Sequence, residues 1–181
     1  FYIKEDLNRE FNNAKIINNL ENPYTVKFIE LYDNKLIYEY FDGDNLEDKI
    51  YNLELNIKYK VIDNLITFLY LLGKKGYYYL DLNLSNILIN KDNNIKIIDY
   101  GSLSNNSNIS IKLGSFFLVP PEYYLNDILI IDKFDVFSLA NIIFILLFRF
   151  PLIKTSKCYI NKCWSFCNKK CKNCNRQLCL E

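Results

Sequence analysis

The stretch Gly76-Tyr-Tyr-Tyr-Leu-Asp81-Leu-Asn-Leu-Ser-Asn86-Ile-Leu-Ile-Asn90, followed closely by Asn94-Ile-Lys-Ile-Ile-Asp99-Tyr-Gly101, decides how this chain of 181 residues is read. Two short apolar runs, Ile87-Leu88-Ile89 and Ile95-Lys96-Ile97-Ile98, flank the turn-forming residues 90–94, so the spacing predicts a β-hairpin. Asp81, Asn86 and Asp99 stand at the ends of that hairpin, which brings three oxygen-bearing side chains together. A hard divalent cation such as Mg2+ takes a carboxylate or two, an amide oxygen and substrate phosphates, the kind of set that Asp99 and Asn86 supply. Asp81 is then left to accept a proton. Asp and Asn are also ordinary turn formers, and in a chain with 25 Asn an isolated one says little. The weight rests on the constellation.

Outward from this hairpin, residues 56–72 carry Val61, Ile62, Leu65, Ile66, Leu69 and Leu72 at helical spacing, with Gly73 and Gly76 closing the predicted helix. Residues 45–52 read as a shorter helix after a turn or linker at Asp42-Gly43-Asp44. Further upstream, residues 25–32 and 36–41 are β-like and separated by Asp33-Asn34, a second hairpin signature. Residues 9–20 space Phe11, Ala14, Ile17 and Leu20 as one helix face, ended by Asn22-Pro23. Downstream, residues 101–119 are rich in Ser and Asn and read as a loop, whereas residues 134–148 are apolar nearly all round, the mark of a central core helix.

Composition narrows the function. The 22 basic and 21 acidic side chains nearly cancel, so there is no basic stripe for nucleic acid and no polybasic segment for an anionic membrane. The chain has no His, which excludes His-based triads and dyads and His-ligated metals. The absence of Met makes it read as an internal fragment with something upstream. No secretory leader or bilayer-length apolar run is visible, and the first 157 residues lack Cys, so the expectation is an intracellular, cytoplasmic protein in a reducing compartment. All six Cys fall in residues 158–179. Cys163, Cys167, Cys171 and Cys174 have a spacing compatible with tetrahedral zinc, and equally with a buried stripe on one helix face.

The central stretch resembles the catalytic loop and metal-binding segment of eukaryotic-type protein kinases, H-R-D-L-x-x-x-N followed by D-F-G. Other motifs follow in family order. Gly114-Ser-Phe-Phe-Leu-Val-Pro-Pro-Glu122-Tyr resembles the segment that ends a kinase activation loop, Asp135-Val-Phe-Ser-Leu-Ala140 the start of the kinase core helix, and Tyr38-Glu-Tyr-Phe-Asp-Gly-Asp-Asn-Leu46 the hinge. The resemblance implies an α+β, two-lobed protein-kinase-like fold: a truncated N-lobe over residues 1–41, a mostly helical C-lobe over residues 42–153, and a Cys-rich tail over residues 154–181. It implies an ATP-dependent, Mg2+-requiring Ser/Thr kinase acting on a protein substrate, with no nucleic-acid or membrane partner and an open oligomeric state. The alternative is a pseudokinase that binds nucleotide or acts as a scaffold; a further one is a Cys-rich metal module beside a kinase-like neighbour.

Carried over by resemblance, Asp81 accepts or orients the substrate hydroxyl proton, and Asn86 and Asp99 hold Mg2+ on the ATP phosphates. The backbone at Glu39 and Phe41 binds adenine above Leu88, and Asn45 takes a ribose position. Phe1-Tyr-Ile-Lys4 resembles the lysine strand V-A-I-K, which makes Lys4 a phosphate ligand with Glu10 as its helix partner, although counting back without gaps from Pro23 lands on Asn13. Ser115 faces the substrate and suits a Ser or Thr acceptor. Asn83 stands where Ser/Thr kinases carry a catalytic Lys; Tyr79 and Leu80 replace the motif His and Arg. Tyr79 is expected to pack with Ile17, Phe28 and Tyr100 in one apolar column. Loss of the Arg removes the guanidinium that would pair with a phosphorylated activation loop.

Overall fold

In the computed structural model, residues 2–20 form one helix, α1 (Tyr2–Leu20). The structure describes residues 2–105, 120 and 131–149, with side chains at 7–105, 120, 131 and 133–149. The helix corrects the strand expected at residues 1–4: Ile3, Leu7, Phe11 and Ala14 continue the helical spacing backwards, and no Gly or Pro interrupts it. Lys4 therefore sits six positions from Glu10 on the same helix, and a strand-to-helix lysine–glutamate pair is not built.

Strands β1 (Phe28–Tyr32) and β2 (Lys35–Tyr38) pair antiparallel across Asp33 and Asn34. Both turn residues have positive φ, 47° and 57°, the backbone that a two-residue type I′ hairpin needs and that Asp and Asn tolerate. Residues 43–45 depart from expectation. They form a third strand, β3 (Gly43–Asn45), with Gly43 opposite Asn90 and Asn45 opposite Leu88. Gly43 is required by this approach, because a Cβ there would lie 2.7 Å from the Phe41 ring and 3.0 Å from the Ile89 carbonyl oxygen.

Helix α2 (Leu46–Lys49) is short and runs into a 3-10 turn, and α3 (Leu55–Lys74) buries Val61, Ile62, Leu65 and Leu72 of the predicted stripe together with Phe68, whereas Ile66 is exposed because it lies off the buried face. Gly76, at φ +74°, ends α3; the Tyr77 N–H returns to the Leu72 carbonyl at 3.1 Å, a Schellman-type closure that sends the chain into residues 78–81. The expected second hairpin is present as β4 (Ile87–Asn90) and β5 (Ile95–Ile97), completing a sheet of order β3-β4-β5. The apolar core helix, α4 (Ile131–Phe148), starts three residues before the predicted segment.

One core runs from Ala14 and Ile17 of α1 through Ile87 and Ile97 to Leu65 and Phe68 of α3 and Ile142 and Leu146 of α4. The expected column of Ile17, Phe28, Tyr79 and Tyr100 lies within it. Rings of Phe11, Phe28, Tyr38 and Tyr100 follow one another edge-to-face, with centroids 5.6, 5.7 and 6.1 Å apart. Residues 22–26 are stitched to the larger half. Asn22 donates to the Phe68 carbonyl at 3.2 Å, Ile97 N–H to the Tyr24 carbonyl, Val26 N–H to the Ile97 carbonyl, and the Tyr100 hydroxyl to the Val26 carbonyl at 3.1 Å. Ser115, Glu122 and the cysteines lie outside the described residues. Among the described residues no helix is long and apolar enough to cross a membrane.

Candidate active site

The chain leaving α3 is gripped by α4 before it reaches Asp81. Leu80 adopts φ +66°, a left-handed backbone that costs a residue with a Cβ on the order of 1–2 kcal/mol. Asp135 of α4 holds it there: the Tyr79 N–H donates to Oδ2 and the Leu80 N–H to Oδ1, both at 2.7 Å. Burial lifts the Asp135 carboxyl to about 6 against the pull of these two N–H groups. Leu80 is itself buried, so the position where kinases place an Arg is part of the core. The Tyr79 hydroxyl donates to the Ile98 carbonyl at 2.5 Å, joining this loop to the chain just before Asp99.

Two amides fix Asp81. Asn83 Nδ2 donates to its Oδ1 at 3.2 Å and its main-chain oxygen at 3.0 Å, and Asn86 Nδ2 to its Oδ2 at 3.1 Å and the same main-chain oxygen at 3.0 Å. Burial raises the Asp81 carboxyl above its ordinary range, the Asn86 amide opposes this, the Asp99 charge adds to it, and the Asn83 amide opposes it again. Asn83 Oδ1 accepts from the Ser85 hydroxyl at 2.6 Å and the Asn86 N–H at 3.0 Å, capping the 3-10 turn Leu84–Asn86. Both ends of the Asn83 amide are thus engaged within the loop.

With its nitrogen turned to Asp81, Asn86 keeps an amide oxygen that accepts no hydrogen bond among the described residues. Its carbonyl receives the Ile98 N–H at 3.0 Å, which ties it to the approach to Asp99. Asp99 is exposed, at φ +63°, with Oδ1 accepting from the Gly101 N–H at 3.1 Å. Across from it on α1, Glu10 accepts from the Tyr38 hydroxyl at 3.3 Å. Burial raises the Glu10 carboxyl and the Asp99 charge raises it further, while Tyr38 and Arg9 pull the other way. The charge of Asp99 therefore reaches both Asp81 and Glu10.

At the hinge, the Glu39 N–H donates to the Lys27 carbonyl at 2.8 Å and the Phe41 carbonyl accepts from the Gly43 N–H at 2.9 Å. The Glu39 carbonyl and Phe41 N–H form no hydrogen bond among the described residues. Leu88 is half-buried opposite Asn45, whose Oδ1 is buried without a donor. The structure thus joins Asp81, Asn83 and Asn86 by hydrogen bonds, with the Asp99 charge felt at Asp81 and at Glu10, and it sets Glu39, Phe41, Asn45 and Leu88 along residues 39–41 and β3-β4. Lys4 is described only by its backbone, on α1.

Sequence reasoning missed Tyr38 and Lys96. Lys96 Nζ donates to the Pro23 and Thr25 carbonyls at 3.0 and 2.8 Å and pairs with Glu39 at 3.5 Å. Its only signal was a lone cation inside an apolar strand.

Comparison with known proteins agrees with this arrangement. The sequence profile described as "Protein kinase domain" matches residues 3–175. A probable serine/threonine-protein kinase KIN1 homolog of Enterocytozoon bieneusi (strain H348) is 30% identical over 150 residues, covering 77% of this chain and 25% of that protein. The hormonally up-regulated neu tumor-associated kinase of Homo sapiens is 32% identical over 111 residues, covering 58% of this chain and 15% of that protein. The chain thus spans a quarter or less of the length of these two relatives. Among solved structures, the Cydia pomonella granulovirus kinase PK-1 has the same fold, with a TM-score of 0.67 at 22% identity over 78% of this chain and 55% of that one. The chain belongs to the protein kinase domain family.

Proposed function

We propose that the protein binds Mg-ATP and transfers the γ-phosphoryl group to a Ser or Thr hydroxyl of a protein substrate. The observation that carries this reading is the Asp81 carboxylate, pinned by two amides beside an unengaged Asn86 oxygen and the exposed Asp99 carboxylate. Asp81 orients the attacking hydroxyl and takes its proton as the new O–P bond forms and the bond to the leaving ADP oxygen breaks. One carboxylate and one amide oxygen suit Mg2+, which commonly keeps water and phosphate oxygens in its remaining positions, and among the described residues no cluster of three or more Asp, Glu or Cys forms a closed cage. The metal supplies neutralisation of phosphate charge when bound.

The free Glu39 carbonyl and Phe41 N–H offer adenine an acceptor and a donor, Leu88 lies on the neighbouring strand, and Asn45 takes the ribose position by resemblance, its Oδ1 being buried. Ser115, outside the described residues, faces the substrate by resemblance alone. Lys4 and Glu10 were expected to act as a pair on the phosphates; both lie on α1, and the Asp99 charge is felt at Glu10.

The engaged Asn83 amide favours a second reading, a nucleotide-binding pseudokinase, because position 83 offers no cation to the transferring phosphate. Mg2+-dependent ATP turnover by the unaltered protein, Asp81→Asn and Asp99→Ala decides between them. Turnover that falls by orders of magnitude in both variants supports the enzyme, at about 1.4 kcal/mol of barrier per tenfold. Nucleotide binding without turnover supports the pseudokinase, and equal turnover in all three removes the roles given to Asp81 and Asp99.

A further inference from the structure

We propose that Asn13 is a positioning residue that sets the geometry of the Asp99 metal ligand by reading the backbone of the turn after it. The inference rests on the metal-site reading above. Asn13 is 8% exposed, and its Nδ2 donates to the Tyr100 carbonyl at 2.7 Å, the Leu103 carbonyl at 3.1 Å and, more weakly, the Gly101 carbonyl at 3.5 Å. Those carbonyls belong to the turn that leaves Asp99, whose left-handed φ, one that Asp tolerates, is held on one side by its own Oδ1 on the Gly101 N–H.

The approach to Asp99 is already held, by the Ile98 N–H on the Asn86 carbonyl and by the Tyr79 hydroxyl on the Ile98 carbonyl. Beyond it, the Leu103 N–H closes the turn onto the Tyr100 carbonyl at 3.1 Å, and the Asn13 amide gathers the outward carbonyls. A primary amide suits this place because it has two N–H donors and no charge. A carboxylate there would set negative lone pairs against the same oxygens. Asn13 also lies one helical turn from Glu10, whose carboxyl feels the Asp99 charge.

A purely structural tether would behave differently. Asn18, on the same helix, makes two hydrogen bonds to Phe28, at 2.7 and 2.9 Å, and none to the Asp99 turn. The test measures Mn2+ affinity in the presence of a non-hydrolysable ATP analogue, the affinity of that analogue without metal, and amide hydrogen exchange at Leu103, in the unaltered protein, Asn13→Asp, Asn13→Leu and Asn18→Leu. Both Asn13 variants are expected to weaken Mn2+ binding on the order of tenfold, the lower end for outer-shell partners of metal ligands. They should speed exchange at Leu103 and leave metal-free analogue affinity unchanged, while Asn18→Leu lowers thermal stability with Mn2+ affinity intact.

The unaltered protein carries a test that survives a folding failure of the variants. By reciprocity, Mn2+-analogue binding is expected to slow exchange of the Asn13 side-chain amide protons and not those of Asn18. Asn13 variants that bind Mn2+ normally with their helical signal retained, Asn18→Leu weakening Mn2+ equally, or unchanged Asn13 amide exchange would each overturn the inference. No Mn2+ binding by the unaltered protein would overturn the metal-site reading itself.

Discussion

Replacing Tyr79 by Phe isolates one hydrogen bond at the junction between the catalytic loop and the Asp99 segment. The ring is fully buried and packs edge-to-face on Phe68 with centroids 5.5 Å apart, a contact that Phe keeps. What disappears is the hydroxyl donated to the Ile98 carbonyl. The net worth of the bond together with the desolvated acceptor left behind comes to about 2 kcal/mol. For a chain of this size that corresponds to a fall of about 4–8 °C in Tm. Urea unfolding followed by helical circular dichroism measures it, with an unchanged m value showing that the unfolded state is unaffected. Burial raises the Tyr79 hydroxyl well above its ordinary range, so the loss should be the same throughout neutral and mildly alkaline pH. Tyr79→Leu, which also removes the ring, should cost about 3–5 kcal/mol by analogy with large-to-small core changes. Tyr79→Phe within about 0.5 kcal/mol of the unaltered protein, the range of an ordinary surface substitution, would refute the reasoning.

Asp135, lifted by burial to about 6 from its ordinary value of 3.8, contributes stability that is full below the lower value and is lost as pH rises through the higher one. The loss is about 3 kcal/mol at 1.36 kcal/mol per pH unit, and Asp135→Asn should erase that slope; parallel stability-pH profiles would disprove the assignment. Gly43→Ala forces a Cβ against the Phe41 ring and the Ile89 carbonyl, and should cost about 1–3 kcal/mol in denaturant unfolding, with no loss expected if β3 were not paired. Phe68→Ala, at a position with no exposed surface, should cost about 3–5 kcal/mol in the same assay, and a cost below about 1 kcal/mol would mean that α3 is not packed as described.

The elements legible in the sequence were those whose information is local. The Asp33-Asn34 hairpin follows from residues that accept positive φ, the β4-β5 hairpin from its Asn-rich turn, and α3 from a stripe repeated over about three turns. Strand β3 was not legible, because three residues of turn-like composition become a strand only through a partner more than forty positions away. The opening helix was misread because four residues with an aromatic and a β-branched member imitate a strand, and the helical period shows only when they are joined to the next ten. The gathering of Asp81, Asn86 and Asp99 was visible through motif spacing. The Asn13 amide on the Asp99 turn was not, because nothing in the spacing of residues 13 and 100–103 reveals that a helix side chain will meet those carbonyls. Asn83 was expected at a phosphate, but with Asp81 on one side and Ser85 on the other its short side chain serves the loop.

The joint at residues 22–26 has a mechanical consequence. Thr25 bridges to Ile97, the Tyr100 hydroxyl closes on the Val26 carbonyl, and Lys96 anchors the Pro23 and Thr25 carbonyls beside Glu39. Together with the Asn13 amide on the Tyr100 and Leu103 carbonyls, these attachments hold the smaller half at two separate places rather than along one line, which restrains sliding and swinging alike. Glu39, paired with Lys96, sits at the first of these attachments, where displacement is least.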